Sequence, residues 1–272
     1  MKKTQRVFVL AILVAAIASA CSDEKTSRLL KEEDEIPPHL RISYPAQTRI
    51  IAHRGYWNTK GAAENSLAAL DKAAEAGFYG SEFDVRFTSD GVPVIHHDPQ
   101  IHEITIENTS YNRIKNIKLS NGETLPTLRQ YLNRGKGRNI RLILEIKSED
   151  IAVAAPVVAM VEETDMQAQV EYISFHLPMC REILRLAPQA SVSYLGGNIA
   201  PAELKALGFA GIDYASAILN RKPEWIPEAK ALGMTVNVWV VNDLQMMYDF
   251  IRRDVDFITT DKPTTLKRML EQ

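Results

Sequence analysis

Carboxylate, imidazole and guanidinium side chains recur within one window of this 272-residue chain, residues 50–98. Ile50-Ile51-Ala52 runs into His53-Arg54-Gly55. The segment SEFDVRF sets Glu82, Asp84 and Arg86 at every second position. Val92-Pro93-Val94-Ile95 runs into His96-His97-Asp98. Residues two apart in a strand share a face, so Glu82 and Asp84 point the same way with Arg86 behind them. Two adjacent carboxylates repel unless a cation or protons lie between them. A hard divalent metal meets that need, and His, Arg and carboxylate together suit hydrolysis of a phosphate ester.

Taken singly, an HRG tripeptide is a common loop, and alternating acids commonly line a solvated sheet face. What points to a site is recurrence: charge gathers at the ends of successive apolar runs, where barrel enzymes collect their chemistry. Strand-like runs fall at 49–53, 81–86, 92–97, 141–147, 170–175, 190–195, 211–214, 235–240 and 257–260. Helical patterns lie between them, in NSLAALDKAAEAG, LPTLRQYLNRG, IAVAAPVVAMVEET, PMCREILRLAP, PAELKALG, PEWIPEAKALG and DLQMMYDFIRR. Asn65-Ser66 reads as a helix start and Gly77 as its end. This βα order implies a mainly parallel sheet. Eight strands with crossovers suggest a closed (β/α)8 TIM barrel, with 92–97 as the extra piece and a short insertion after the second strand region. An open doubly wound sheet is the alternative, but no Gly-rich fingerprint follows the first strand.

Length and composition agree with one such barrel, since 46% hydrophobic and 24% charged residues are those of an ordinary globular protein. A net charge of −2 without a basic patch argues against nucleic acid as a partner. Residues 1–20 read as a signal peptide: Lys2, Lys3 and Arg6 precede an apolar run at 7–18 that is short for a membrane span. Ala18-Ser19-Ala20 then lead to Cys21. Small residues directly before a Cys resemble a bacterial lipoprotein signal, although Ala18 stands where Leu is usual. That resemblance implies lipidation of Cys21 and export to the cell envelope, with a membrane partner through the lipid. The chain has two cysteines, so Cys180 is then left without a partner and no disulfide is expected. Residues 21–46, charged and bearing Pro37, Pro38 and Pro45, read as a tether with a short helix near 29–35, leaving 47–272 for the barrel. No protein partner is evident.

HRG at 53–55, EN at 64–65, ExD at 82–84 and HD at 97–98 together resemble the glycerophosphodiester phosphodiesterase family. The likeness runs on through LPTL at 125–128, EIK at 145–147, SF at 174–175, WVVN at 239–242 and TDKP at 260–263. It implies a (β/α)8 barrel that cleaves small glycerophosphodiesters to glycerol 3-phosphate and an alcohol with one divalent cation, Ca²⁺ or Mg²⁺. By position it implies catalytic roles for His53 and His97, and metal ligation by Glu82, Asp84 and Glu145. Arg54 and Lys147 would contact phosphate, with Glu64 an acid near His53 and Trp239 lining the pocket. His96 falls where the family varies. The chain departs from the family after HD, where PQIHEITIENTS replaces the usual Leu-x-Arg-Thr-Thr run and the insertion at 99–122 is short. This leaves the alcohol half of the substrate open. A lysophospholipase D or sphingomyelinase-D-like enzyme is the alternative chemistry, and a non-catalytic envelope lipoprotein the alternative class.

Overall fold

The computed structural model describes residues 35–271. The signal segment, Cys21 and most of the tether, including nearly all of the short helix expected at 29–35, lie outside these residues. Residues 35–41 belong to a separate unit and carry a 3-10 turn at Pro38–Leu40. The compact unit begins at Ile42. Among the described residues no helix is long and apolar enough to cross a membrane.

Eight parallel strands close on one another: β1 (Arg49–Ala52), β2 (Gly80–Phe87), β6 (Arg141–Ile146), β7 (Val170–Ser174), β8 (Ser191–Tyr194), β9 (Gly211–Ala215), β10 (Thr235–Trp239) and β11 (Phe257–Thr260). The ring is sealed where β1 pairs with both β2 and β11. The extra piece at 92–97 shortens to β3 (Pro93–Ile95), which pairs antiparallel with the end of β2. A two-stranded hairpin, β4 (Gln100–Ile101) and β5 (Ile104–Thr105), follows it.

Most predicted strands end one residue late. β1 stops at Ala52 and β6 at Ile146, so His53 and Lys147 sit just beyond the C-terminal ends of their strands. That is the barrel face where side chains are free to meet a ligand rather than fill the core. Beneath them the barrel is plugged by Ile51, Ile143, Ile173, Leu195 and Phe257, with Tyr79 and Trp239 against them. These inward residues alternate with outward ones along each strand, which is why short apolar runs marked the strands.

Outside the ring lie α1 (Leu67–Glu75), α3 (Leu128–Gly135), α4 (Ala154–Glu163), α5 (Leu177–Leu186), α6 (Pro201–Ala206), α8 (Trp225–Ala231) and α9 (Leu244–Arg252), all near predicted helical patterns. Three further helices fall outside the predicted patterns: α2 (Tyr111–Ile114), α7 (Ser216–Arg221) and α10 (Pro263–Leu270). The four residues of α2 cannot establish a 3.6 period, whereas α10 is amphipathic and buries Leu266 and Met269. The start of α1 is set by Ser66, whose Oγ accepts from Ala69 N at 3.1 Å, a cap worth about 1 kcal/mol. Gly77, at φ +71°, closes it with Phe78 N donating to Ala73 O. Its inner face buries Ala69, Leu70 and Ala73; Leu70 alone contributes roughly 2 kcal/mol by leaving water.

The insertion after β3 has its own small core of Val94, Ile101, Ile106, Ile114 and Leu125. It is therefore a packed block beside the barrel mouth rather than a loose loop.

Candidate active site

Register brings the acids together. β2 and β6 lie side by side with Asp84 opposite Glu145, and Glu82 stands two residues earlier on the same face. All three are buried, at 4%, 1% and 7% exposure for Glu82, Asp84 and Glu145. One oxygen from each lies within 4.8 Å of the others. A solvated sheet face is thereby excluded for these acids. Burial, reinforced by Asp84 and Glu145, pushes the Glu82 carboxyl well above its ordinary range. Burial likewise pushes Glu145 up to about 7, although Lys147 opposes it. Burial acts on Asp84 in the same sense, but Lys147 and the Asn65 amide together hold its carboxyl below the usual value.

Lys147 Nζ lies 3.1 Å from Asp84 Oδ1 and 2.9 Å from Glu145 Oε1. Burial disfavours the ammonium, yet these acids outweigh it and keep its pKa above the ordinary value. One lysine does not balance three buried carboxylates. The donor set is all oxygen, buried and within a few ångströms, which fits a hard divalent cation.

The first strand delivers His53 and Arg54 through a tight turn. Arg54 takes φ +53° and Gly55 φ +77°. A Cβ on Gly55 would lie 2.7 Å from the Ala69 Cβ, so glycine alone lets the turn pack on α1. The turn aims Arg54 N at Glu82 Oε2, 2.8 Å away. The Arg54 side chain reaches Glu64 at 2.6 Å, and its buried Nε, 3.9 Å from Asp84, has no hydrogen-bond partner. Asn65 locks the back of the site: Nδ2 donates to Asp84 Oδ2 at 2.8 Å, and Oδ1 accepts from Asp84 N at 3.1 Å.

Each imidazole is paired with a carboxylate through Nδ1. His53 Nδ1 lies 2.8 Å from Asp261 Oδ1, and His97 Nδ1 lies 2.7 Å from Asp98 Oδ1. An ionised carboxylate only accepts, so the shared proton belongs on Nδ1 and each neutral ring presents a bare Nε2. His53 Nε2 is 4.0 Å from Glu82 Oε2. Burial lowers the His97 pKa against the opposing pull of Asp84 and Asp98. Asp261 also accepts from Asn242 Nδ2 at 2.7 Å and Trp57 Nε1 at 3.1 Å. Burial favours its neutral form, but the bonds from His53 and Asn242 win and hold the carboxyl at about 2.

A cavity of about 170 Å³ gathers His53, Arg54, Glu82, His97, Glu145, Lys147 and Trp239. Asp84 stands behind Lys147. Glu64 lies outside this cavity, in an adjoining groove of about 710 Å³ that His97 also lines. His96 turns away, with Nε2 3.1 Å from the Gln100 carbonyl oxygen. Trp239 packs edge-on to Phe175 at 5.4 Å, its Nε1 donating to Asp213 O at 2.9 Å. Cys21 is outside the described residues.

Asp261, Asn242, Asn65, Asp98 and Trp57 were given no role in the site from sequence; Asn65, read as part of a helix start, instead bonds Asp84 while Ser66 alone caps the helix. Four of them stand inside the motifs TDKP, WVVN, EN and HD, but their task is to orient other side chains, and partners from distant strands are invisible to spacing. Asp213 gave no signal, being one acid within a short apolar strand.

Residues 53–265 match the model of the glycerophosphoryl diester phosphodiesterase family. A crystal structure of a glycerophosphodiester phosphodiesterase from Parabacteroides distasonis is similar, with a TM-score of 0.82 at 46% identity over 84% of this chain and 98% of that one. A glycerophosphodiester phosphodiesterase of Caldanaerobacter subterraneus is 28% identical over 243 residues, 83% of this chain and 99% of the relative. A probable glycerophosphodiester phosphodiesterase of Mycobacterium tuberculosis is 27% identical over 81% of this chain and 89% of the relative. With the closed barrel and the mouth-facing acids and imidazoles, these matches make the chain a member of the glycerophosphoryl diester phosphodiesterase family, an enzyme of the phosphoric diester hydrolase class.

Proposed function

We propose that this chain hydrolyses glycerophosphodiesters to sn-glycerol 3-phosphate and an alcohol, using His53 and His97 as proton carriers beside a divalent cation. The observation that carries this reading is the pair of carboxylate-held imidazoles lining one cavity with Glu82 and Glu145, two members of the buried cluster that Asp84 completes. Bound there, Ca²⁺ or Mg²⁺ would supply Lewis-acid charge to the phosphoryl oxygens.

The protein's own side chains account for the remaining tasks. Arg54 offers a planar fork suited to two phosphate oxygens, and Lys147 a point charge. Both oppose the negative charge that grows as the diester is displaced. One imidazole takes the proton of the attacking oxygen at Nε2. The other, entering as imidazolium, delivers its Nε2 proton to the departing alkoxide, which is too basic to leave alone; the proton taken by the first ring returns through water to reset the pair. Asp261 and Asp98 keep the rings turned and hold a proton on each Nδ1. Glu64 holds Arg54 in place, and Trp239 walls the cavity.

The test is hydrolysis of sn-glycero-3-phosphocholine with and without EDTA, followed by return of Ca²⁺ or Mg²⁺. Loss of turnover in EDTA and its recovery with metal are expected. Full activity after exhaustive chelation would remove the cation from the reaction.

Placement at the envelope rests on the signal-like residues 1–20 and Cys21 alone. The lipid serves location, because every proposed site residue lies beyond the tether. Cys21→Ser in a bacterial host should abolish incorporation of labelled fatty acid; persistent labelling overturns lipidation at that residue.

A further inference from the structure

Asp213 is a buried carboxylate that the proposed chemistry leaves without a task. It sits on β9, is 2% exposed and lines the 170 Å³ cavity. Its Oδ1 is buried and has no hydrogen-bond partner. Asn237, whose amide eases the carboxylate, is otherwise paired with Thr259 at 2.9 and 3.2 Å, and Oδ1 is left without a donor. A buried acceptor without a donor forfeits its hydration and gains nothing in return, so native structures rarely keep one without use.

Its place in the ring indicates that use. β9 is the fourth strand from β2 in either direction, and so stands diametrically across the barrel from Glu82 and Asp84. A substrate whose phosphate lies against Arg54, Lys147 and the acids extends its far end toward β9. The cavity wall on that side is apolar, with Ile173, Phe175, Leu195 and Trp239. Those groups suit the C–H faces of a small polyol, while a lone carboxylate among them suits one hydroxyl.

We propose that Asp213 is a specificity residue that accepts a hydrogen bond from the terminal hydroxyl of the substrate glycerol, the hydroxyl farthest from phosphorus. This inference rests on the functional reading above. Asp213 also helps build the wall through its main chain, because its carbonyl accepts from Trp239 Nε1. That second task survives a side-chain substitution. Burial, eased only partly by the Asn237 amide, pushes the carboxyl up to about 7.

A matched pair of diesters tests this. One is sn-glycero-3-phosphocholine; the other is 2-hydroxypropyl phosphocholine, with the same leaving group and the same hydroxyl beside the ester but no terminal hydroxyl. The native enzyme should favour the first in kcat/KM by about 10²-fold or more, since a site built for a hydroxyl rejects the analogue lacking it. Asp213→Leu, close in shape, should bring that ratio to within about tenfold of unity, through loss on the glycerol substrate. Asp213→Asn exchanges a charged for a neutral acceptor and should lower the ratio by about tenfold, which covers the case in which the leucine variant does not fold. An unchanged ratio in either folded variant overturns the inference. A native enzyme that cleaves both diesters equally well also overturns it, while leaving the hydrolase reading intact. A native enzyme that cleaves neither removes both.

Discussion

His53 Nδ1 lies 2.8 Å from Asp261 Oδ1 although 208 residues separate the two in the chain. The contact exists because the barrel closes: β1 pairs with β11 from Arg49↔Phe257 to Ala52↔Thr260, and the next residue of each strand carries the side chain. Asp261 is itself fixed by Asn242 and Trp57, so the imidazole inherits one orientation. Asp261→Asn keeps the shape but removes the carboxylate that fixes the proton on Nδ1 and the orientation of the ring. We expect kcat to fall about 10²–10⁴-fold with the barrel intact by circular dichroism. An unaltered kcat would show that His53 needs no such partner.

The same carboxylate makes a pH-dependent contribution to stability. Its folded pKa, about 2, lies below the ordinary value of 3.8. The stabilisation is therefore complete above roughly pH 4 and is lost as pH falls toward 2. Acid titration of the native protein and Asp261→Asn should show the native advantage shrinking across that window. Parallel acid-unfolding curves would refute the assignment.

The adjacent histidines separate by direction. His97 faces the cavity and is held by Asp98, whereas His96 bonds the Gln100 carbonyl in the insertion. Replacing His97 by Ala should lower kcat about 10²–10⁴-fold, and His96→Ala should cost far less. Kinetics of the two variants on one glycerophosphodiester decide the matter, and a reversed ranking would mean that the wrong ring has been given the proton.

Much of this was legible in the chain before folding. Period-two spacing placed Glu82 and Asp84 on one face, and apolar runs located the strands. Glu145 and Lys147 were assigned through family likeness, and the register of β6 against β2 explains why: Asp84 meets Glu145 only across the sheet. The orienting residues were hidden for the same reason. Nothing within a few positions of Asp261 announces His53, and nothing near Asp213 announces the cavity. Local pattern reveals which face a side chain takes, whereas closure decides which distant strand it meets.

The acid cluster predicts a linked effect of metal and pH on stability. Burial raises the Glu145 pKa to about 7, above its ordinary value of 4.5. A raised carboxyl costs nothing below the unfolded pKa and penalises folding progressively as pH rises through the folded one. The metal-free protein should therefore lose stability between about pH 4.5 and 7. A cation that binds only the folded, ionised cluster restores it by mass action. Melting in EDTA and in millimolar Ca²⁺ should show a larger gap at pH 7.5 than at pH 5. Glu145→Gln should melt higher than the native protein in EDTA at pH 7.5 and lose the response to Ca²⁺. A Ca²⁺ shift that survives in Glu145→Gln would move the cation away from these three acids.

The alcohol half of the substrate is the part for which sequence offered least, because the insertion at 99–122 departs from the family pattern. Its packed core sets one wall of the 710 Å³ groove that meets the catalytic cavity at His97. An amphiphile with a long acyl chain needs a continuous apolar trough there. The lining instead places Asn58, Lys60, Gln100, His102, Lys118 and Ser120 among only three large apolar side chains, Trp57, Ile101 and Leu119. Burying a methylene chain among such groups forfeits about 0.8 kcal/mol per CH₂ and strips water from amines and amides. Small hydrated alcohols such as choline, ethanolamine or glycerol leave those groups wet. We therefore expect kcat/KM for glycerophosphoethanolamine and glycerophosphocholine to exceed that for lysophosphatidylcholine by at least about tenfold, with sphingomyelin lower still. The lysolipid is assayed below its micellar concentration, so that aggregation does not mask its rate. Equal or better cleavage of the lysolipid would mean that the acyl chain finds an apolar path this groove does not offer, and would favour the phospholipase D type of activity.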